Sequence, residues 1–271
     1  MGSRSATISS DPSLTSAWAD LRQRGRTALI PYCTAGYPDY DASRDMLQAA
    51  DEYADIIEVG VPFSDPLADG PTIQRSIHSA LAKGMTLPRT LELIEQSRMQ
   101  HPVVVFSYLN PILHYGLTRF LRDASAIGVA GVLLTDLPAG ADSAIESELG
   151  ASSLDLIRLV APTTSDARLR ETVRDARGFI YLIARLGVTG TTAGIDNGLA
   201  GSVHRVRAAT SLPVAVGFGI ADPGQAAQVA GLADGVVVGS ALVEQLATSV
   251  EAGRVLLHDL RVALDRADGS R

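Results

Sequence analysis

The stretch EVGVPFSDPLADGPTIQ, from Glu58 to Gln74, carries three carboxylates in close succession, Glu58, Asp65 and Asp69. Glu58 lies within an apolar run, DIIEVG from Asp55, whose side chains alternate between two faces if the run is a strand. Ile56 and Glu58 then share one face, and Asp55, Ile57 and Val59 the other. With Ile57 and Val59 packed on helices, Glu58 points inward. Desolvation there raises a carboxyl pKa, so that the group can give and take a proton near neutrality. The competing reading is a Glu neutralised by a buried Arg or Lys. Asp65 and Asp69 lie among Pro62, Pro66, Gly70 and Pro71, residues that hold a loop in a fixed path, and each taken alone is equally a turn residue or a helix cap.

A second set of residues suits an anion. VAVGFGI places Gly217 and Gly219 after one apolar run, and VVVGSAL places Gly239 and Ser240 between another and the helix that follows. Glycine lets the backbone approach a ligand closely, and N–H groups at a helix start favour negative charge. Gly190, Gly219, Gly239 and Ser240 are the expected phosphate residues, although each taken singly is also an ordinary turn residue. Tyr32, Phe106, Tyr108, Leu133, Tyr181 and Phe218 stand near strand ends, where they line an apolar slot or serve as core.

These residues need a scaffold that gathers distant strand ends. Short β-branched runs start at Ala28, Asp55, Val103, Gly131, Leu154, Phe179, Leu212 and Asp234, each apolar enough for burial on both faces. Between them lie amphipathic stretches such as DASRDMLQAADEY from Asp41, LPRTLELIEQSRM from Leu87, SDARLRETVRDAR from Ser165 and SALVEQLATSVEAG from Ser240. Such alternation predicts an α/β fold, a single (β/α)8 TIM barrel, with catalytic groups at the C-terminal ends of its strands. DPSLTSAWADLRQRG predicts an extra N-terminal helix across the barrel floor, with Trp18 as packing. One domain is expected over residues 1–271, with residues 1–10 disordered.

Of the 271 residues, 46% are hydrophobic and 20% charged, which sets aside disordered and fibrous classes. The net charge of -7 comes from scattered carboxylates and offers no footprint for nucleic acid. Cys33 is the one cysteine, expected as a buried packing residue in a reducing compartment. The segment MGSRSATISSDP lacks the apolar core of a signal peptide, Ala6 stands where a myristoylation motif needs Ser or Thr, and no apolar run spans a membrane. The chain therefore reads as cytoplasmic. His78, His101, His114, His204 and His258 show no ligand spacing, and no metal or nucleotide is expected.

EVGVPFSDPLADGPTIQ resembles the signature of the tryptophan synthase alpha subunit family, and SYLNPILHYG, LTDLPAG, VAPTTS and YLIARLGVTG extend the likeness in the same order over nearly the whole chain. The resemblance implies a lyase that cleaves indole-3-glycerol phosphate to indole and glyceraldehyde-3-phosphate in tryptophan biosynthesis. It assigns proton transfer to Glu58, the indole nitrogen to Asp69, and the orienting of Glu58 to Thr189 on a closing loop within Arg185 to Gly198. It also implies an alpha2beta2 assembly with a beta subunit, in which pyridoxal phosphate belongs to the partner alone. A free-standing indole-releasing lyase and a silent, partner-activating barrel are the alternatives. Three residues depart from the pattern: Ser79 where Arg is common, Thr135 where a small residue or Pro precedes Asp136, and Arg158 within an apolar strand.

Overall fold

The computed structural model describes residues 13–183, 197–217 and 219–270. Eight parallel strands close into a barrel in chain order: β1 (Ala28–Thr34), β2 (Ile57–Gly60), β3 (Val103–Ser107), β4 (Val129–Leu134), β5 (Asp155–Val160), β6 (Ile180–Ile183), β7 (Val214–Gly217) and β8 (Gly235–Val238). Pairing of Ala28 with Gly235 through Pro31 with Val238 completes the ring. Each of the eight apolar runs forms one strand, because a parallel barrel strand is covered on both sides. Leu29, Ile57, Val59, Val103 and Val105 face the helical layer, whereas Ile30, Ile56, Val104, Leu133 and Ile157 face the interior.

The strands are linked through α2 (Tyr40–Asp51), α3 (Pro71–Ala82), α4 (Leu87–Ser97), α5 (Leu109–Tyr115), α6 (Leu117–Ala126), α7 (Ser143–Ala151), α8 (Asp166–Arg174), α9 (Asn197–Ala209) and α10 (Pro223–Ala230). They follow α1 (Leu14–Arg24) and precede α11 (Ser240–Leu246) and α12 (Val250–Asp268). The N-terminal helix α1 closes the barrel floor. Ser13 caps it by accepting from the Ser16 N–H at 3.2 Å, and Gly25 ends it in the left-handed conformation at φ 62°. Leu14 and Trp18 reach under the strands so closely that a Cβ on Gly178 would lie 2.8 Å from Leu14 and one on Gly235 3.0 Å from Trp18. Trp18 also packs on Phe179, with ring centroids 5.7 Å apart.

Capping moves two helix boundaries from their expected places. The second helix starts at Tyr40 because Asp39 accepts from the Ala42 N–H at 2.9 Å, which leaves Asp41 in the first turn. The single helix expected from Ser240 to Gly253 is two helices. Ser249 accepts from the Ala252 N–H at 3.1 Å, so α12 begins anew after α11. Arg158 does not interrupt β5. It lies on the strand's outward face, donating to the Leu137 carbonyl at 2.9 Å and pairing with Glu146 at 2.6 Å. Cys33 is buried in the outer core, its thiol pushed up to about 12 by burial. Among the described residues no helix is long and apolar enough to cross a membrane. Residues 1–10 lie outside the described residues.

Candidate active site

The short strand β2 fixes Glu58. Its neighbours in register are Tyr32 on β1 and Val104 on β3, and with Ile57 and Val59 committed to the helical layer the side chain projects inward. Glu58 is 0% exposed, and neither carboxylate oxygen has a hydrogen-bond partner among the described residues. No Arg or Lys among them pairs with it, so the structural reading of a neutralised Glu has no support there. Burial pushes its pKa up from 4.5 to about 8. Desolvation is the cause of the rise, and no cation among the described residues opposes it.

Two tyrosines wall the acid in. A Cβ on Gly60 would lie 2.1 Å from the Tyr32 hydroxyl oxygen, and one on Gly217 would lie 2.2 Å from that of Tyr181. Each ring therefore lies over a glycine on the next strand, and neither glycine can be replaced without moving a ring. This gives Gly217 a packing role, distinct from the anion approach that its position in VAVGFGI suggests. Burial, together with the charges of Asp69 and Glu58, raises both phenol pKa values, so both hydroxyls keep their protons. Tyr32 also meets Phe106 edge-on, with centroids 5.3 Å apart at 80°.

Asp69 is held by the turn chemistry of its loop. Its N–H donates to the Pro66 carbonyl at 3.1 Å, and Gln74 Nε2 donates to the Asp69 carbonyl at 2.9 Å from the first turn of α3. Tyr108 stands over this loop, donating its hydroxyl proton to Asp69 Oδ2 at 2.6 Å and accepting from the Ala68 N–H at 2.8 Å. Burial raises the pKa of Asp69, and the Tyr108 hydrogen bond partly offsets the rise. Asp65 is exposed and bonded to Ser64, as a turn residue.

A cavity of about 390 Å³ opens between these groups and the far wall. It falls in the ~300–1,000 Å³ range of small-molecule sites. Tyr32, Glu58, Asp69, Phe106, Tyr181, Gly219, Gly239 and Ser240 all line it. Gly219 adopts φ 85°, open to glycine and strained for other residues, while Gly239 precedes α11 with only ordinary contact to Tyr32. Tyr108 reaches the cavity through Asp69. Leu133 does not line it and belongs to the interior core below, beside Ile157. Thr189, Gly190, Phe218 and most of the Arg185 to Gly198 loop lie outside the described residues.

Sequence reasoning missed several lining residues. Ile73, Ile220 and Val237 supply apolar surface, and Thr72 donates to Glu244 at 2.8 Å across the rim between α3 and α11. The glycines facing Tyr32 and Tyr181 were detectable only as small residues at strand ends.

A closed (β/α)8 barrel whose mouth holds a buried acid with no partner among the described residues, with glycine turns after its seventh and eighth strands, has the layout of barrel enzymes that bind a small molecule at the C-terminal ends of their strands. The family model of the tryptophan synthase alpha chain matches residues 18–268. The chain is 47% identical over 246 residues to the tryptophan synthase alpha chain of Geobacter sulfurreducens, covering 89% of this chain and 93% of that one. It is 48% identical over 239 residues to that of Gluconacetobacter diazotrophicus, covering 87% of each. A solved structure of Mycobacterium tuberculosis tryptophan synthase superposes with a TM-score of 0.86 at 40% identity, covering 94% of this chain and 98% of that one. The chain belongs to the tryptophan synthase alpha chain family, and its activity is of that family's carbon–carbon lyase type, in tryptophan biosynthesis.

Proposed function

We propose that the chain cleaves indole-3-glycerol phosphate to indole and glyceraldehyde-3-phosphate, with Glu58 as the proton carrier. The observation that carries this reading is the burial of the Glu58 carboxyl without a partner among the described residues, which leaves it protonated at neutral pH. The proton passes from Glu58 to indole C3, and positive charge develops at the ring nitrogen. Asp69 accepts a hydrogen bond from that N–H and stabilises the charge. The Glu58 carboxylate then takes the proton of the glycerol hydroxyl on the carbon attached to C3. As that carbon becomes the aldehyde, its bond to C3 breaks and the electron pair restores the neutral indole. Glu58 ends protonated, ready for the next turnover.

The slot between Tyr32, Phe106 and Tyr181 suits the indole, and the backbone at Gly219, Gly239 and Ser240 suits the phosphate. Gly190, Thr189 and Phe218 complete the proposed substrate contacts, and the role of Leu133 is to support the slot from below. No cofactor takes part in this chain's chemistry. Docking on a beta subunit that holds pyridoxal phosphate, in an alpha2beta2 assembly, is supported by the family to which the chain belongs, with Leu67 as a candidate contact. It is 91% exposed on the same loop that carries Asp69, where a partner would cover apolar surface at the mouth.

Turnover of indole-3-glycerol phosphate by the purified chain, alone and mixed with a beta subunit, tests both parts. Cleavage that accelerates on mixing is expected. Glu58→Gln is expected to lose cleavage by about 10²–10⁴-fold while still binding glycerol phosphate. Turnover within twofold of the parent in that variant would remove Glu58 from the chemistry.

A further inference from the structure

We propose that Thr135 is a positioning residue for Asp69, acting through the Tyr108 hydroxyl, with Arg158 holding the segment on which Thr135 stands. The inference rests on the reading of Asp69 as the partner of the indole nitrogen.

Thr135 follows β4, and its N–H donates to the Ser107 carbonyl at 3.0 Å, which continues the β3–β4 register that pairs Ser107 with Leu134. Tyr108 and Thr135 are therefore the next neighbours across these two strands. Leu133 faces the interior and Leu134 the helical layer, so alternation turns Thr135 inward over the mouth, on the side of Tyr108. Its Oγ1 is buried and has no hydrogen-bond partner among the described residues in the present rotamer. A buried, unsatisfied hydroxyl costs stability unless a ligand or a neighbour uses it.

The neighbour at hand is the Tyr108 oxygen. That oxygen gives its proton to Asp69 and accepts from the Ala68 N–H, which leaves one lone pair for a second donor. The Thr135 hydroxyl lies near enough to lower the Tyr108 pKa slightly, against the larger rise caused by burial and by Asp69, while falling short of hydrogen-bond geometry. A rotation of the Thr135 hydroxyl fills the lone pair. A phenol that accepts a further hydrogen bond donates more strongly in turn, so the Tyr108 proton is held on Asp69 Oδ2 and the other carboxylate oxygen is left for the indole N–H.

Arg158 secures the base of this chain of contacts. It is 4% exposed, and its two bonds, to the Leu137 carbonyl and to Glu146 at the start of α7, pin the segment just after Thr135. Thr135 and Arg158 line one small cavity of about 160 Å³ beneath that segment. Two residues that look like independent irregularities in the sequence thus meet at one place in the fold.

The test uses the full chain with Thr135→Val, which keeps the shape and removes the hydroxyl, Thr135→Ser, which keeps the hydroxyl, and Tyr108→Phe. The first readout is the pKa of Asp69 by carboxyl NMR without substrate, where among the described residues Tyr32, Tyr181 and Tyr108 are the titratable groups facing it and Glu58 and Glu244 line the same cavity. Thr135→Val is expected to raise the Asp69 pKa, and Thr135→Ser to leave it in place. In turnover of indole-3-glycerol phosphate, Thr135→Val is expected to lower kcat about three- to tenfold, the size of one neutral hydrogen bond, with KM little changed. Thr135→Ser should recover most of that loss, and Thr135→Val should add nothing once Tyr108 is Phe.

An Asp69 titration that does not move in Thr135→Val, or an effect that adds fully to that of Tyr108→Phe, would overturn the inference. A parent chain that fails to cleave the substrate would count against the proposed reaction, while the substrate-free titration still decides the role of Thr135.

Discussion

Glu58 loses its hydration on folding and finds no cation among the described residues in return. Its carboxyl titrates near 8 in the folded chain and near 4.5 when unfolded, so the unfolded state releases the proton first as pH rises. Its contribution to stability is complete below about pH 4.5 and is lost as pH climbs to about 8. Glu58→Gln removes this dependence. Relative to the parent, the variant should gain about 1.4 kcal/mol for each pH unit across that window, as an upper slope. Urea unfolding of both proteins at pH 5 and pH 9 measures it. An equal difference at both pH values would mean that Glu58 ionises as freely in the fold as in water. Asp69 behaves differently because Tyr108 gives it a donor. Two carboxylates from one short stretch are thus set apart by their surroundings, one fit to carry a proton and the other to attract positive charge.

At the level of the elements, strand alternation aims the acid and glycines on neighbouring strands make room for the walls. Gly60 on β2 and Gly217 on β7 serve Tyr32 and Tyr181 in the same way. Gly60→Ala and Gly217→Ala should each cost about 1–3 kcal/mol by overpacking and displace a tyrosine from the slot. Thermal melting, with the affinity for indole-3-propanol phosphate as a second measure, checks this. A variant with unchanged melting and unchanged affinity would show that the rings relax freely. Capping operates at the same scale, and Ser249→Ala should cost about 1 kcal/mol by removing the start of α12.

Across the whole molecule, the two ends of the barrel are built for different work. The mouth keeps an acid with no partner among the described residues, whereas the floor is cross-linked. Arg261 of α12 donates to the Thr27 carbonyl at 3.1 Å and to Asp55 at 3.0 Å, while Asp55 accepts from the Leu29 N–H and pairs with Arg26. Both Arg261 and Asp55 are buried. Arg261→Ala leaves Asp55 short of a partner beneath β1 and β2, and should cost about 3–5 kcal/mol in urea unfolding. A loss under about 1 kcal/mol would show that Arg26 compensates alone.

The eight strands, the floor helix and the inward direction of Glu58 were legible in the residues themselves. Periodicity and apolar runs are local, and burial on both faces leaves a barrel strand little choice. Helix ends at Asp39 and Ser249 were less legible, since Asp39 competes with Asp41 and Ser249 with a continuing apolar pattern. Glu58 and Asp69 stood out through the resemblance of their stretch to a family signature, and the glycine turns through their place after the last strands. Pairings across the barrel decided the rest. That Leu133 sits below the slot, that Gly60 and Gly217 accommodate tyrosines, that Thr135 follows the residue paired with Ser107, and that Glu58 has no cation among the described residues all depend on register between strands far apart in the chain. Local sequence specifies which way a side chain leaves its strand. Closure of the barrel decides which side chain it meets.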